Sequence, residues 1–375
     1  MSKQMTCTVY SDPLRRRAYF AAANSTQGFV FWYERLFRGR ASRLYVIKGG
    51  PGTGKSRLMW DMVGAAHKAG WQTELYFCSS DPTSLDAVRV CSDEGQSIVF
   101  LDGTAPHVME VQSPGFAEQM IDLGAFWSQS QLREHSEEIS HLMQQKGKCY
   151  AAAYHYLAAA GLCAQNAQAL LTPAIRQNAI HATVKRLLSG VIGKKATASA
   201  QSTPPHCIFT SALGMRGWSH LDTLERAAKR ICLLPECHGA EYMLIEEIVR
   251  RGVAVGALMT VSYHPLFPSQ ADAVLFEESG VLFTTHQSAA QLSDEDRYLH
   301  TLSLRRMLDS TVLREGRTAW RQAKRSCNHL LLAAQESLLS AAAPHFALEE
   351  IYSAAMDFSA KEAYTAHLAE QLFGK

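Results

Sequence analysis

The sequence lacks the paired spacings that would make its cysteines structural. Nine cysteines, Cys7, Cys78, Cys91, Cys149, Cys163, Cys207, Cys232, Cys237 and Cys327, give an odd number with no Cys-x-x-Cys pair. That excludes a zinc ribbon, leaves no disulfide framework, and makes a reducing, cytoplasmic setting the expectation. Charge is sparse as well, at 19% Asp, Glu, Lys and Arg with a net charge of +2. Cations cluster only at Arg15-Arg16-Arg17 and Lys194-Lys195, short of the several on one face that a nucleic-acid footprint needs. The N-terminus has no apolar stretch of signal-peptide length. Between Lys148 and Arg176 no charged residue of those four types occurs. That run is mostly alanine and holds His155, Gln165, Asn166, Gln168 and Pro173, so it reads as a helix buried between neighbours and not as a membrane span. No Asn-Lys-x-Asp string for guanine recognition is present.

What the chain does have is length and one phosphate-binding signature. At 375 residues and 47% hydrophobic, it is long enough for two domains with a sizeable core. Gly49-Gly50-Pro51-Gly52-Thr53-Gly54-Lys55-Ser56 fits the Walker A pattern. Its context fits too. Arg43 to Lys48 reads as a buried strand, and residues 55–69 read as an amphipathic helix with Leu58, Met59, Met62, Val63 and Ala66 on one face. Glycines let backbone N–H groups close around phosphate oxygens, and the helix aims its free N–H groups at the same anion. Lys55 is expected to reach the β- and γ-phosphates and Ser56 to ligate Mg²⁺, with Arg57 adjoining the loop. ATP with Mg²⁺ is therefore the expected ligand.

Further along, Gln72 to Cys78 and Ser97 to Leu101 read as strands, residues 115–126 as a helix, and 127–190 as helical throughout. Strand, helix, strand, turn, strand predicts a parallel α/β sheet. Gly193 to Pro205 is small, polar and proline-ended and reads as a linker. The second half repeats the first faintly. Tyr19-Phe20 aligns with Ile208-Phe209, and Gly28 with Gly217, at an offset of 189; Arg43 to Lys48 aligns with Arg230 to Pro235 at 187. The expected fold class is α/β: tandem P-loop NTPase-type three-layer units with parallel sheets and long helical segments after each. The expected domains are 1–192, a linker at 193–205, and 206–375. At offset 187, Glu236 stands opposite Gly49, and Glu241, Tyr242 and Met243 stand opposite Gly54, Lys55 and Ser56. The second unit is thus expected to be degenerate, with one nucleotide site per chain.

Ile98-Val-Phe-Leu-Asp102 matches Walker B, placing Asp102 beside the loop to hold Mg²⁺; the alternative for Asp102 is a turn or cap. The next residue is Gly103, not the Glu that would activate water. Asp81, just past the second strand, is the candidate for that task, with helix N-capping as the alternative. Thr104 and His107 could sense the γ-phosphate, or His107 could be structural. No arginine finger can be named: Arg57 lies on the Walker helix and Arg216 in the second half, and without a finger turnover is expected to be slow.

With these residues in view, the chain resembles a little-characterised bacterial family of tandem P-loop ATPases, also labelled nucleotide-kinase-like. The matching stretches are Asn24 to Phe29, Lys48 to Ser56, Cys78-Ser-Ser-Asp-Pro-Thr-Ser-Leu-Asp86, Asp102-Gly-Thr-Ala-Pro-His107, Pro114-Gly115 with Leu123-Gly124, and Ala355-Met-Asp-Phe358. The family's second half carries a Gly-Thr-Gly-Lys-Ser-like loop, from which Glu236 to Met243 departs. The leading expectation is a slow or partner-stimulated ATPase, alone or with a protein partner or a second copy of itself. The alternatives are a small-molecule or nucleotide kinase, for which no arginine-rich lid is evident, and a nucleotide-gated interaction module without turnover.

Overall fold

The computed structural model describes residues 17–39, 41–192, 204–292 and 298–374. Of the expected linker, residues 193–203 lie outside the described residues, as do Arg15, Arg16, Lys194 and Lys195. The first lobe runs β1 (Ala18–Phe20), β2 (Ala22–Ser25), β3 (Gly28–Phe31), α1 (Tyr33–Phe37), β4 (Arg43–Lys48), α2 (Lys55–Lys68), β5 (Gln72–Phe77), β6 (Leu85–Cys91), β7 (Ser97–Asp102) and β8 (Glu118–Asp122). The helices α3 (Gln129–Glu134), α4 (Ser136–Leu171) and α5 (Gln177–Leu188) follow. The second lobe runs β9 (His206–Ile208), β10 (Ser211–Gly214), β11 (Gly217–His220), α6 (Thr223–Ala227), β12 (Arg230–Leu233), α7 (Ala240–Ala254), β13 (Met259–Tyr263), β14 (Ala271–Phe276), β15 (Val281–Thr284) and β16 (Tyr298–Thr301). It closes with α8 (Ser310–Ser340), α9 (Ala342–Ala354) and α10 (Phe358–Phe373).

Two six-stranded sheets result, ordered β1-β5-β6-β7-β4-β8 and β9-β13-β14-β15-β12-β16. Element for element these are the same order, so the internal repeat read from the sequence exists as a repeat of topology. The sheets are mixed, not parallel. β6 runs antiparallel to β5 and β7, and β14 antiparallel to β13 and β15. The cause is connection length: a parallel neighbour needs a crossover of about a dozen residues. The tight turn through Gly95, which has φ 84°, instead folds β7 directly back on β6.

The expected helix over 115–126 is also corrected. It is β8 followed by a short 3₁₀ turn, Leu123–Phe126. Phe116 and Met120, four residues apart, are both exposed, at 91% and 59%, so the segment has no buried helical face.

Each sheet has two differently covered faces. Tyr45 and Ile47 of β4 join α2 and α10 in one core, while the alternate residues Leu44 and Val46 turn to a second core. That second core contains Val99 and Leu101 of one sheet and Ala273, Leu275 and Leu282 of the other, with α1 and α6. Helices on both faces of each sheet were expected; here the inner faces of the two sheets share a core.

The repeat is two-fold in space. Phe20 and Phe209, equivalent residues, exchange backbone hydrogen bonds of 2.9 and 3.1 Å. The long helices α4 and α8 pack along each other. The chain then crosses over. Asp357 N–H bonds Phe126 and Ser128 N–H bonds Ala355, while Arg176 N–H bonds Met307 and Asp309 N–H bonds Ala174. The same offset of 181 relates 126 to 307, 128 to 309, 174 to 355 and 176 to 357. As a result α5 packs on α7 of the second lobe and α10 on α2 of the first. The boundaries at 192 and 206 follow the chain but not the packing, since each half covers the other's sheet.

Among the described residues no helix is long and apolar enough to cross a membrane. The charge-poor run lies mostly in α4, whose buried Ala153 and Leu157 meet α8 and the second lobe and whose Gly161 lies against Thr26 of the first.

Candidate functional site

β4 delivers its last residue, Lys48, to the loop Gly49–Gly54, and α2 begins at Lys55. Gly52 and Gly54 have φ of 71° and 81°, the left-handed region that favours glycine. The Thr53 hydroxyl donates to the Gly50 carbonyl at 2.9 Å and pins the turn. Lys55 Nζ donates to the carbonyls of Gly49 (3.0 Å) and Gly50 (2.7 Å) and stands 3.5 Å from Asp102 Oδ2. The Ser56 hydroxyl accepts from Leu85 N–H at 2.9 Å, tying the helix head to β6. Pro51 is half-buried in the loop. Arg57 points elsewhere, pairing with Asp61 on the exposed face of α2 at 3.2 Å.

Asp102 ends β7 next to β4, so the sheet itself sets it beside the loop. Thr104 N–H donates to Asp102 Oδ1 at 2.9 Å, and its hydroxyl bonds the same oxygen. That leaves Oδ2 toward Lys55. The missing Glu at 103 has a steric cause: a Cβ there would run into Val46 and lie 3.1 Å from the Met109 carbonyl.

The carboxylate that gathers with these groups is Asp86. It is the residue skipped where the β5–β6 register slips, between Leu85 opposite Phe77 and Ala87 opposite Tyr76. Bulges re-aim side chains in this way, often beside active sites. Asp86 is 5% exposed, and a carboxylate oxygen of it lies within 4.8 Å of a carboxylate oxygen of Asp102 and a ring nitrogen of His107. Burial pushes its carboxyl up; the nearby Asp102 adds to this, while His107 and Lys55 pull the other way. His107 Nε2 is 3.5 Å from Asp86 Oδ2, and its ring packs against Phe29 and Tyr33. Asp86 closes the stretch Cys78-Ser-Ser-Asp-Pro-Thr-Ser-Leu-Asp86. The signal that marks it is an Asp inside the run Leu85–Val90, followed by a tight-turn sequence, Asp93-Glu94-Gly95.

Asp81, the expected water-orienting group, is held by the other lobe. Arg216 Nε and Nη2 meet its two oxygens at 2.6 and 3.3 Å, and the Thr83 N–H and hydroxyl donate to Oδ1. Arg216, weighed as a finger, is thereby engaged as a fork on Asp81.

The loop's outer side is covered by the exchanged C-terminal helices, which sequence reasoning had not placed there. A Cβ on Gly50 would lie 2.7 Å from the Tyr352 ring, and one on Gly52 would collide with the Glu349 carbonyl. The Ser353 hydroxyl donates to the Gly52 carbonyl at 2.9 Å. Lys361, 1% exposed, lies beside Gly54, and burial lowers its ammonium. Lys146 of α4 is also lowered, by burial and by the charge of Lys55, against the pull of Glu349.

In the second lobe the helix register corrects the sequence alignment by one. Buried Leu58, Met59, Met62 and Ala66 of α2 match buried Leu244, Ile245, Ile248 and Gly252 of α7 at an offset of 186. Along the helices Glu241 stands opposite Lys55, while the left-handed cap glycines Gly54 and Gly239 align at an offset of 185, so the second loop differs from the first by one residue in its approach to the helix. The Glu241 carboxylate accepts from the N–H groups of Cys237 (2.8 Å) and Gly239 (3.1 Å). An internal anion thus occupies donors of the second loop.

The chain matches no family model, no curated protein and no solved structure.

Proposed function

We propose that the first lobe binds ATP with Mg²⁺ and hydrolyses it slowly, with one nucleotide site per chain. The observation that carries this reading is the convergence of the glycine-loop N–H groups, Lys55 and Asp102 at the head of α2, with Asp86 alongside. In it, Lys55 leaves the Gly49 and Gly50 carbonyls for the β- and γ-phosphates. The oxygen donors Ser56 and Asp102 suit Mg²⁺, which prefers hydroxyl, carboxylate and water oxygens. Asp86 takes the water-orienting role first considered for Asp81. Burial raises the Asp86 carboxyl, and a raised carboxyl is the better proton acceptor. With Arg216 engaged by Asp81, slow turnover follows. Glu241 supports the single site, because a buried carboxylate on the second loop's N–H groups opposes a phosphate there.

A second reading, a nucleotide-gated interaction module, draws on the seating of α9 on the loop. Phosphate binding that shifts Gly50 or Gly52 would move a helix belonging to the other half of the chain.

Isothermal titration of ATP-Mg²⁺ followed by phosphate release tests both. The expected result is one site per chain with measurable phosphate. One site without phosphate selects the gated module. Lys55→Ala is expected to lose binding, and undiminished affinity in that variant would overturn the reading.

A further inference from the structure

The second lobe carries its own chemistry at the place where the first lobe has its nucleotide site. A cavity of about 260 Å³ opens at the C-terminal ends of β13 and β15, lined by Ser211, His220, Tyr242, Asp272 and His286 among others. Open α/β sheets bind ligands at that end of their strands. Three potential metal donors from three separate elements converge there: His220 at the end of β11, Glu225 in α6 and His286 just after β15.

Their geometry is that of a coordination shell. Glu225 Oε1 is 3.0 Å from His220 Nε2 and 3.3 Å from His286 Nδ1, and all three donor atoms lie within 4.8 Å of one another. A tetrahedral ion with bonds of about 2.0–2.1 Å spaces its ligands about 3.3 Å apart. Metal-binding histidines are oriented by a second partner on the other ring nitrogen. Both are present: His220 Nδ1 meets the Ser211 hydroxyl at 2.9 Å, and His286 Nε2 is in ion-pair contact with Asp272 Oδ2 at 3.1 Å. Glu225 is 1% exposed, and its second oxygen has no hydrogen-bond partner among the described residues. That oxygen is available to a cation. The first lobe has Phe31 where hairpin pairing puts His220, and Gly103 where strand pairing puts His286, so the donors belong to the second lobe alone.

We infer that the second lobe binds one divalent transition-metal ion of the zinc class through His220, Glu225 and His286, with coordination positions open to the cavity. Two imidazoles and one carboxylate suit zinc, cobalt or iron and not magnesium. The site is independent of the nucleotide reading, since none of its residues touches the first loop.

Titration of metal-free protein with Co²⁺ tests it. The expected result is one ion per chain, with visible d–d bands and no thiolate charge-transfer band, and a higher Tm with Zn²⁺ than with EDTA. His220→Phe, which restores the residue of the first lobe, is expected to weaken binding at least 10–100-fold, the cost of losing even an outer-shell partner. Should His220→Phe fail to fold, Ser211→Ala, which removes only the outer partner, should weaken binding about 10-fold or more in a folded chain. Absence of saturable binding in the wild type, a thiolate band, or unchanged affinity in folded variants would overturn the inference.

Discussion

Asp86 and Asp272 occupy one position in two copies of the same hairpin, each the residue passed over where its strand pairing slips, 86 against 272. In the first lobe that carboxylate faces Asp102 and His107; in the second it faces His286. A single backbone irregularity thus presents a buried acid to two different chemistries. Asp86→Asn is expected to lower phosphate release about 10²–10⁴-fold, the range for losing a general base, while ATP affinity holds. Phosphate-release kinetics beside calorimetry check this, and unchanged turnover would remove Asp86 from the reaction.

Asp81 should behave differently. Burial raises its carboxyl, but Arg216 and Thr83 outweigh burial and hold it below the ordinary value. A carboxyl lowered by folding stabilises above its unfolded value, about 3.9, and that contribution is lost as pH falls through the folded value. The Tm difference between wild type and Asp81→Asn is therefore expected to be largest at neutral pH and to shrink below about pH 4. A difference that stays constant down to acid pH would mean that the ion pair contributes nothing.

Gly52→Ala combines two penalties, a left-handed φ of 71° and a Cβ set against the Glu349 carbonyl. It is expected to destabilise by about 1–3 kcal/mol, the usual cost of a strained backbone position. Denaturant titration measures this. Ser353→Ala, which removes only a hydroxyl bond, should cost about 1 kcal/mol.

Residues 1–192 and 204–375 expressed separately are expected to be insoluble or poorly folded, and co-expressed they should purify as one complex. The reason is that α5 and α10 each cover the opposite lobe. Two independently folded halves with native-like Tm would show that the exchange is not needed.

The strand, loop and helix around Lys55 were legible because periodicity and glycine spacing are local. Asp102 was legible for the same reason. Asp86 was not, since a bulge is defined by pairing with Phe77 and Tyr76 and leaves only one acid in an apolar run. The antiparallel strand of the first sheet was hidden by reading the segment after Cys78 as turn. The role of α9 and α10 was out of reach of any window, because their partners lie roughly 300 residues away: Ser353 on Gly52, Lys361 beside Gly54. The grouping of His220, Glu225 and His286 was not legible because the three residues carry no motif spacing; Glu225 follows His220 closely, but His286 joins them only through the sheet.

The crossing of α5 and α10 has a further consequence. One copy of this unit, standing alone, would keep its own helix, α2 or α7, on the outer face of its sheet but lack the second helix beside it, and would carry a last helix with nothing to cover. A symmetric pair, each member lending the other its last helix, would restore that cover. Joined in one chain, the members no longer have to remain identical: Gly103 of one lobe can stand where the other has His286, and Phe31 where the other has His220, with the shared scaffold unchanged.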